Sequence, residues 1–332
     1  MMITMNLKPV AILLNLLLLT FPASASYAGD KPLQTIIHDE NHGGLDFSLG
    51  DSKYSGELAY NKSYMVNFSV NPPSGSSIKV AKAYVYWVWS KKDLEGIYPQ
   101  FNASIISSGN IESLPEGHMY TDTKGFVSRY DYFSGMNAYD LSGKISKPGN
   151  YSISLMNTDK NGSTFCVQGI GLLLAYEDPK SPTIEYWINE GCDMLYADYG
   201  ITPEVATMTT YFKGDINPDN ITDAQLITVS PSGGYSSGRE ARNKLFFNEE
   251  TSSLPVLGDI IQLLFGSGKS WENVYQTNDT VQVALDEKPV GDYLVPTENF
   301  VSIQDEGDYL LATNAILVLN LEEPESSEKR GI

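Results

Sequence analysis

The stretch Gly169–Leu195, GIGLLLAYEDPKSPTIEYWINEGCDML, constrains this fold more than any other. It continues an apolar run, Phe165–Tyr176, breaks at Pro179 and Pro182, and returns through Tyr186 and Trp187 to Cys192. A short apolar run bounded by turn residues reads as a buried strand. Proline cannot donate to a ladder, so the chain turns and comes back. The same grammar recurs. Tyr60–Val70 alternates around Tyr64, Val66, Phe68 and Val70, Ile78–Trp89 reads IKVAKAYVYWVW, and Tyr151–Leu155 alternates. Gly, Pro, Asn and Asp clusters separate these runs at short intervals, which predicts an all-β sandwich or barrel. Only Pro255–Phe265 reads as a short helix, and Ala138–Leu141 as a turn.

A chain of 332 residues suggests two domains. The second half loosely repeats the first. Val80–Trp89 corresponds to Asp223–Val229, and Phe101–Ser107 to Phe247–Ser253. Phe126–Leu141 corresponds to Trp271–Leu285, and Val167–Asp178 to Leu311–Glu322. The expectation is two tandem β-sandwich domains, jelly-roll-like, made by internal duplication, with the short helix in the second. Their spans are 29–200 and 201–323, with the boundary near Tyr196–Pro203 and a polar tail at 324–332.

Residues 1–28 read as an export leader. Lys8 precedes the apolar run Pro9–Phe21, and small residues follow up to Ala28. Cleavage fits after Ala25 or Ala28, the latter preferred. No second run of that length is present, so no transmembrane segment is expected after cleavage. The net charge of −19 repels phosphates and excludes nucleic acid as a partner. In an exported chain the two cysteines, Cys166 and Cys192, are expected to form a disulfide. Sequons at Asn61, Asn67, Asn102, Asn150, Asn161, Asn220 and Asn278 are candidate N-glycosylation points.

Several segments together resemble an uncharacterised family of exported proteins common in methanogenic archaea, domain-of-unknown-function family 3344. In the first half they are Tyr84-Val85-Tyr86-Trp87 with Trp89-Ser90, Tyr120-Thr121-Asp122-Thr123-Lys124-Gly125 and Tyr130-Asp131-Tyr132-Phe133-Ser134-Gly135. Ala138-Tyr139-Asp140, Tyr176-Glu177-Asp178 and Tyr186-Trp187-Ile188-Asn189-Glu190-Gly191-Cys192-Asp193 continue the pattern. Phe247-Asn248 and Asn314-Ala315-Ile316-Leu317-Val318 extend it to the end. The resemblance implies a secreted or cell-surface protein and lends no catalytic residues.

Candidate chemistry is sparse. Gly234-Tyr235-Ser236-Ser237-Gly238 matches a nucleophile elbow, but the last histidine, His118, precedes it, and a hydrolase triad needs one later. His38-Asp39-Glu40-Asn41-His42 gathers metal-ligand types in what reads as a linker, in the wrong order for a zinc peptidase helix. Calcium is the one candidate cofactor. Asn157, Asp159 and Asn161 alternate like the start of a calcium loop, yet position twelve is Gln168, and a hairpin turn explains the same residues. Asp215-x-Asn217-x-Asp219 is a weaker match, interrupted by Pro218. Glu177, Asp178, Glu190 and Asp193 could converge on calcium if the Pro179–Pro182 turn brings them together. Trp87 and Trp89, on one face of an alternating strand, are candidate glycan-stacking residues.

These observations predict an exported extracellular or cell-surface structural and adhesion protein without catalytic activity. Its partners would be envelope glycan or other surface proteins. The alternatives are a carbohydrate-binding module and a glycan-active enzyme, whose paired carboxylates would flank a sugar.

Overall fold

The computed structural model describes residues 27–124, 132–234, 241–249 and 268–322. The expected leader up to residue 26, the helix at 255–265 and the tail at 324–332 lie outside them, as does most of the elbow motif. The described residues are nearly all β. In the first half the strands are β1 (Gln34–Ser48), β2 (Glu57–Leu58), β3 (Ser63–Val70), β4 (Ser77–Lys92), β5 (Glu95–Gly96) and β6 (Phe101–Ser107). Next come β7 (Asn110–Ser113), β8 (His118–Thr121), β9 (Phe133–Asp140), β10 (Gly149–Asn157) and β11 (Thr164–Glu177). The second half holds β12 (Thr183–Leu195), β13 (Thr207–Asp215), β14 (Ile221–Pro231) and β15 (Asn243–Phe247). It ends with β16 (Lys269–Glu272), β17 (Val283–Pro289), β18 (Thr297–Asp305) and β19 (Leu310–Leu321). The expected turn at Ala138–Leu141 is instead largely the end of β9.

One sheet of 11 strands runs β17-β14-β19-β12-β1-β11-β4-β9-β8, with β2 and β5 attached at its side. Two four-stranded sheets, β3-β10-β6-β7 and β13-β18-β15-β16, complete the fold. The two halves share one strand order. β1-β11-β4-β9 matches β12-β19-β14-β17, and β3-β10-β6-β7 matches β13-β18-β15-β16. By pairing, β12 holds in the second half the place that β1 holds in the first. β12 pairs with β19, and its Trp187 and Leu195 enter the second core.

Alternation decides which residues face which layer. On β3, Val66, Phe68 and Val70 point inward, and Met65, Asn67 and Ser69 face solvent. In the large sheet β4, β11, β12 and β19 are buried on both faces over most of their length, which is why they read as nearly continuous apolar runs. On β4, Ala81, Ala83, Val85 and Trp87 pack under the first small sheet, against Val66, Ile105 and Ile153. Tyr84 and Tyr86, on the opposite face, pack with Tyr186, Ile188, Ile316 and Val318. A matching core under the second small sheet holds Trp187, Met208, Phe247, Ile303 and Leu317. The described residues thus form one large core within each half and another between them, with a smaller cluster of Tyr27, Cys192, Met194 and Leu311 beside them.

β1 joins the halves. Gln34–His42 pairs with β12 and Gly43–Ser48 with β11. The expected linker at His38–His42 is therefore a strand, and its side chains alternate between faces instead of clustering. His38 stacks on Trp187 at 4.3 Å between ring centroids and contacts Glu185 Oε1 at 2.7 Å. Asp39 pairs with Lys79 at 3.0 Å. The change of partner occurs at Gly43, where φ is +152° and a Cβ would lie 1.8 Å from the Tyr176 carbonyl oxygen. Replacing Gly43 with alanine should destabilise the protein by roughly 1–3 kcal/mol, because both the backbone angle and the close approach need glycine. Gly56→Ala serves as the comparison in thermal melting, since there φ is +66° and nothing lies within 4 Å.

The expected disulfide is not formed. Cys166 and Cys192 are free and buried. β1 lies between the strands that carry them, and the two thiols have separate surroundings. Cys166 sits by Tyr54, Glu57 and Lys91, and burial raises its thiol pKa. Cys192 sits by Asp122, Asp193, Lys31 and Lys124, and burial raises it further. Among the described residues no helix is long and apolar enough to cross a membrane.

Candidate functional site

The segments Tyr120–Lys124 and Glu190–Asp193, far apart in sequence, meet at one end of the contact between the halves. The β12–β19 register shifts between Glu190 and Asp193, and Asp193 is buried beyond this irregularity. There the Lys124 ammonium, only 2% exposed, sits among three carboxylates. It lies 2.8 Å from Asp193 Oδ1 and 2.7 Å from Asp122 Oδ2, and it also pairs with Asp30. It donates to the Ala28 carbonyl at 2.7 Å. Lys31 adds a second cation, 3.2 Å from Asp122 Oδ1, and its backbone N–H donates to Asp193 Oδ2 at 3.1 Å. The Met194 N–H donates to Asp122 Oδ2 at 2.8 Å.

Buried charges persist only when paired and hydrogen-bonded. Burial is the largest influence on Asp193 and raises its pKa from 3.8 to about 7; the nearby Asp122 charge adds to this, and Lys124 opposes it. For Lys124, burial works to lower the pKa, but Asp193, Asp122 and Asp30 outweigh it, and the net shift is upward. The three carboxylates have oxygens within 4.8 Å of one another, the spacing of a metal-ligand set. The lysine ammonium stands among them and supplies the positive charge from within the chain. The arrangement works as an ionic clamp that ties the segment at 28–31 and the end of β8 to β12.

Glu190 anchors a second network beside the first. Its Oε1 accepts from the Tyr84 hydroxyl at 2.6 Å and pairs with Lys82 at 2.7 Å. Its Oε2 accepts from the Tyr120 hydroxyl at 3.1 Å. Burial, then the adjacent Glu190 charge, raises the pKa values of Tyr84 and Tyr120. Tyr86 donates to Asn314 Oδ1 at 2.7 Å. These bonds cross from β4 and β8 in one half to β12 and β19 in the other.

The four acids weighed for calcium divide between distant places. Glu177 and Asp178 lie where β1 reaches Gly43, whereas Glu190 pairs opposite Gln34 at the other end of β1. Glu177 contacts Lys79, and Asp178 caps its own turn by accepting from Lys180 N–H and Ser181 Oγ. Asn157, Asp159 and Asn161 do come together, but as a hydrogen-bonded turn. Asn157 Oδ1 accepts from the Asp159 N–H at 2.8 Å, and Asp159 Oδ1 from the Asn161 N–H at 2.8 Å. Hydrogen bonds from Ser163 and Asn161 hold the Asp159 pKa below its ordinary value. At Asp215–Asp219 the Asn217 side chain instead caps a short 3-10 turn.

Trp87 is fully buried, so it cannot stack on a glycan. Trp89 is 46% exposed, but not through simple alternation. The β4–β9 register shifts between Trp87 and Ser90, and Trp89 adopts a φ of +59°. Its ring lies 6.0 Å from that of Tyr132. All seven sequon asparagines are exposed.

Sequence reasoning missed Asp30, Lys31, Asp122 and Lys124. The signal was present in the Thr121–Lys124 and Glu190–Asp193 segments, but nothing local links them.

No curated protein matches the chain. Among solved structures it is similar to the glycosylasparaginase PNGase F of Flavobacterium meningosepticum, at 10% identity, covering 85% of this chain and 98% of that one, with a TM-score of 0.26. The major capsid protein P2 of bacteriophage PM2 is 9% identical, with 85% and 100% covered and a TM-score of 0.20. Likenesses of this order say nothing about function. The model of the family described as protein of unknown function (DUF3344) matches residues 26–320, and the chain belongs to that family.

Proposed function

We propose that this chain is an exported, extracellular or cell-surface structural and adhesion module, built as a duplicated jelly-roll-like sandwich. The shared order of eight strands in two layers per half supports the duplication. One observation carries the functional reading: the division of sequence signals between surface and interior. Every sequon asparagine is exposed, while Asp122, Lys124, Glu190 and Asp193 are spent on one another and on holding the halves together.

Export favours cleavage after Ala25 over Ala28. Tyr27 is buried with its ring 5.7 Å from Tyr196 and 6.2 Å from Tyr309. Its carbonyl accepts from the Tyr196 N–H at 3.2 Å. A cut after Ala28 would remove this ring and the carbonyl that caps Lys124.

The test is peptide mass spectrometry on protein recovered from the producing cells and their medium. The expected chain begins at Ser26 and carries glycan on one or more of the seven asparagines. A cytosolic chain that keeps residues 1–25 and is unmodified at all of them would refute the reading.

A further inference from the structure

The cluster around Lys124 holds more than an ion pair requires. Two buried carboxylates touch the one ammonium, Asp193 Oδ1 at 2.8 Å and Asp122 Oδ2 at 2.7 Å. Their other oxygens are fixed as well. The Lys31 N–H donates to Asp193 Oδ2 at 3.1 Å, and the Lys31 ammonium lies 3.2 Å from Asp122 Oδ1. Asp30, largely exposed, contacts the same Lys124 ammonium and links the cluster to solvent. Lys82 gives the contrast. It pairs with Glu190 at 2.7 Å, and among the described residues no second carboxylate touches it.

An amine, an acid and a second carboxylate in mutual contact are the parts of an amide-forming reaction. Holding amine and acid together supplies an effective concentration of about 10⁵–10⁸ M. Asp122, against the nitrogen, carries protons between nitrogen and oxygen. The Lys31 N–H points at Asp193 Oδ2, where negative charge gathers when Cγ is attacked, the place of an oxyanion donor. Burial supplies the driving force. A buried ion pair forfeits the hydration of both charges, whereas an amide is neutral. Asp193 is the acyl partner among the three acids. Asp30 lies in water, and Asp122 has both oxygens against cations. Asp193 has one oxygen against the amine and one on a neutral N–H, and burial keeps its acid form, the one an amine attacks, present near neutrality.

We propose that Lys124 Nζ and Asp193 Cγ condense into an intramolecular amide, a covalent staple from the segment after β8 to β12. One ammonium proton passes to Asp193 Oδ1, and the freed amine attacks Cγ. Asp122 takes a second proton from the nitrogen and delivers it to Oδ1. The Cγ–Oδ1 bond then breaks, and water leaves. The third hydrogen stays on the amide nitrogen, facing Asp122, and Oδ2 becomes the amide oxygen, still held by the Lys31 N–H. Ammonium and carboxylate give amide and water, so no co-reactant is needed. The ion-paired chain is the precursor, and it is the form that titrates at Asp193 and Lys124. The staple joins the two halves, which the separated cysteines do not. It does not depend on export, because the reacting groups all belong to the folded chain.

The experiment is intact-mass measurement of the denatured wild-type chain, fresh and after warm incubation in the folded state, followed by peptide mapping. The incubated chain is expected to be lighter by one water. Digestion should yield a branched peptide joining Lys124 to Asp193, while Lys82 stays open to amine reagents in the denatured chain. Lys124→Arg keeps the charge but offers no amine, and should retain its full mass. Asp122→Asn should form the bond about a hundredfold more slowly, the usual worth of a positioned proton carrier. The proposal is overturned if the folded wild-type chain keeps its full mass after incubation, if the branch maps to Asp30 or Asp122, or if Lys124→Arg loses the water too. An unchanged rate in Asp122→Asn would overturn the proton route. The wild-type measurement decides the bond itself, whether or not a variant folds.

Discussion

Lys124→Ala is expected to destabilise the protein by about 3–5 kcal/mol, the usual cost of removing one partner of a buried ion pair. The substitution leaves Asp122 and Asp193, both fully buried, without their shared ammonium, and removes the donor to the Ala28 carbonyl. Asp30→Ala should cost less than about 1 kcal/mol, because that carboxylate is 60% exposed and water replaces its partner. Urea denaturation of the two variants separates these outcomes, and equal losses would show that the clamp is not a buried unit.

The clamp also sets a pH dependence. Asp193 titrates at about 7 in the folded protein, against an ordinary value of 3.8. Asp305 is raised to about 7 as well, first by burial, then by its contact with Asp308. Between these limits the folded state retains protons that the unfolded chain has released. More protons bound in the folded state means that stability falls as pH rises. Stability should therefore decline from about pH 4 to pH 7 and then level off. The raised Lys124 pKa acts at the other end: its contribution is intact below 10.5, and is lost as pH rises through its folded value. In Lys124→Ala the cation that opposes Asp193's shift is gone, so the decline should extend above pH 7. Urea midpoints between pH 4 and 9 measure both effects, and a midpoint that rises with pH across 4–7 would contradict the assignment.

The second large effect is expected at Trp87. It is fully buried under the first small sheet, and its indole N–H donates to Asn137 Oδ1 at 2.8 Å. Trp87→Ala should cost about 3–5 kcal/mol from the lost burial and the cavity together. A further 1–3 kcal/mol or so follows from leaving the buried Asn137 oxygen unpaired. Trp89→Gly should behave in the opposite way. A left-handed backbone costs an ordinary residue about 1–2 kcal/mol, and relief of that offsets glycine's added chain entropy of roughly 0.5–1 kcal/mol. Thermal melting should thus show a large drop for the first and little change for the second. Similar losses at both positions would mean that Trp89 is packed as core.

Two tryptophans two residues apart illustrate what alternation could and could not show. Period-two patterning placed Tyr84 and Tyr86 on one face and Val85 and Trp87 on the other, and both faces are buried as that pattern implies. It failed at Trp89, where one irregular residue re-aims the side chain. The same limit explains the cysteines. An even count of cysteines suggested a bridge, but bridging is a matter of distance, and β1 lies between their strands.

By itself the sequence determined the all-β class, the positions of the main strands and the family. Side-chain periodicity, proline and glycine act over a few residues, so these properties are written locally. Only the tertiary structure decided that β1 serves both halves and that Lys124 meets an aspartate 69 residues away. Those meetings depend on which strands pair, and pairing is chosen by the burial of whole faces and by a single glycine at the crossing point. No short window of sequence contains that free energy.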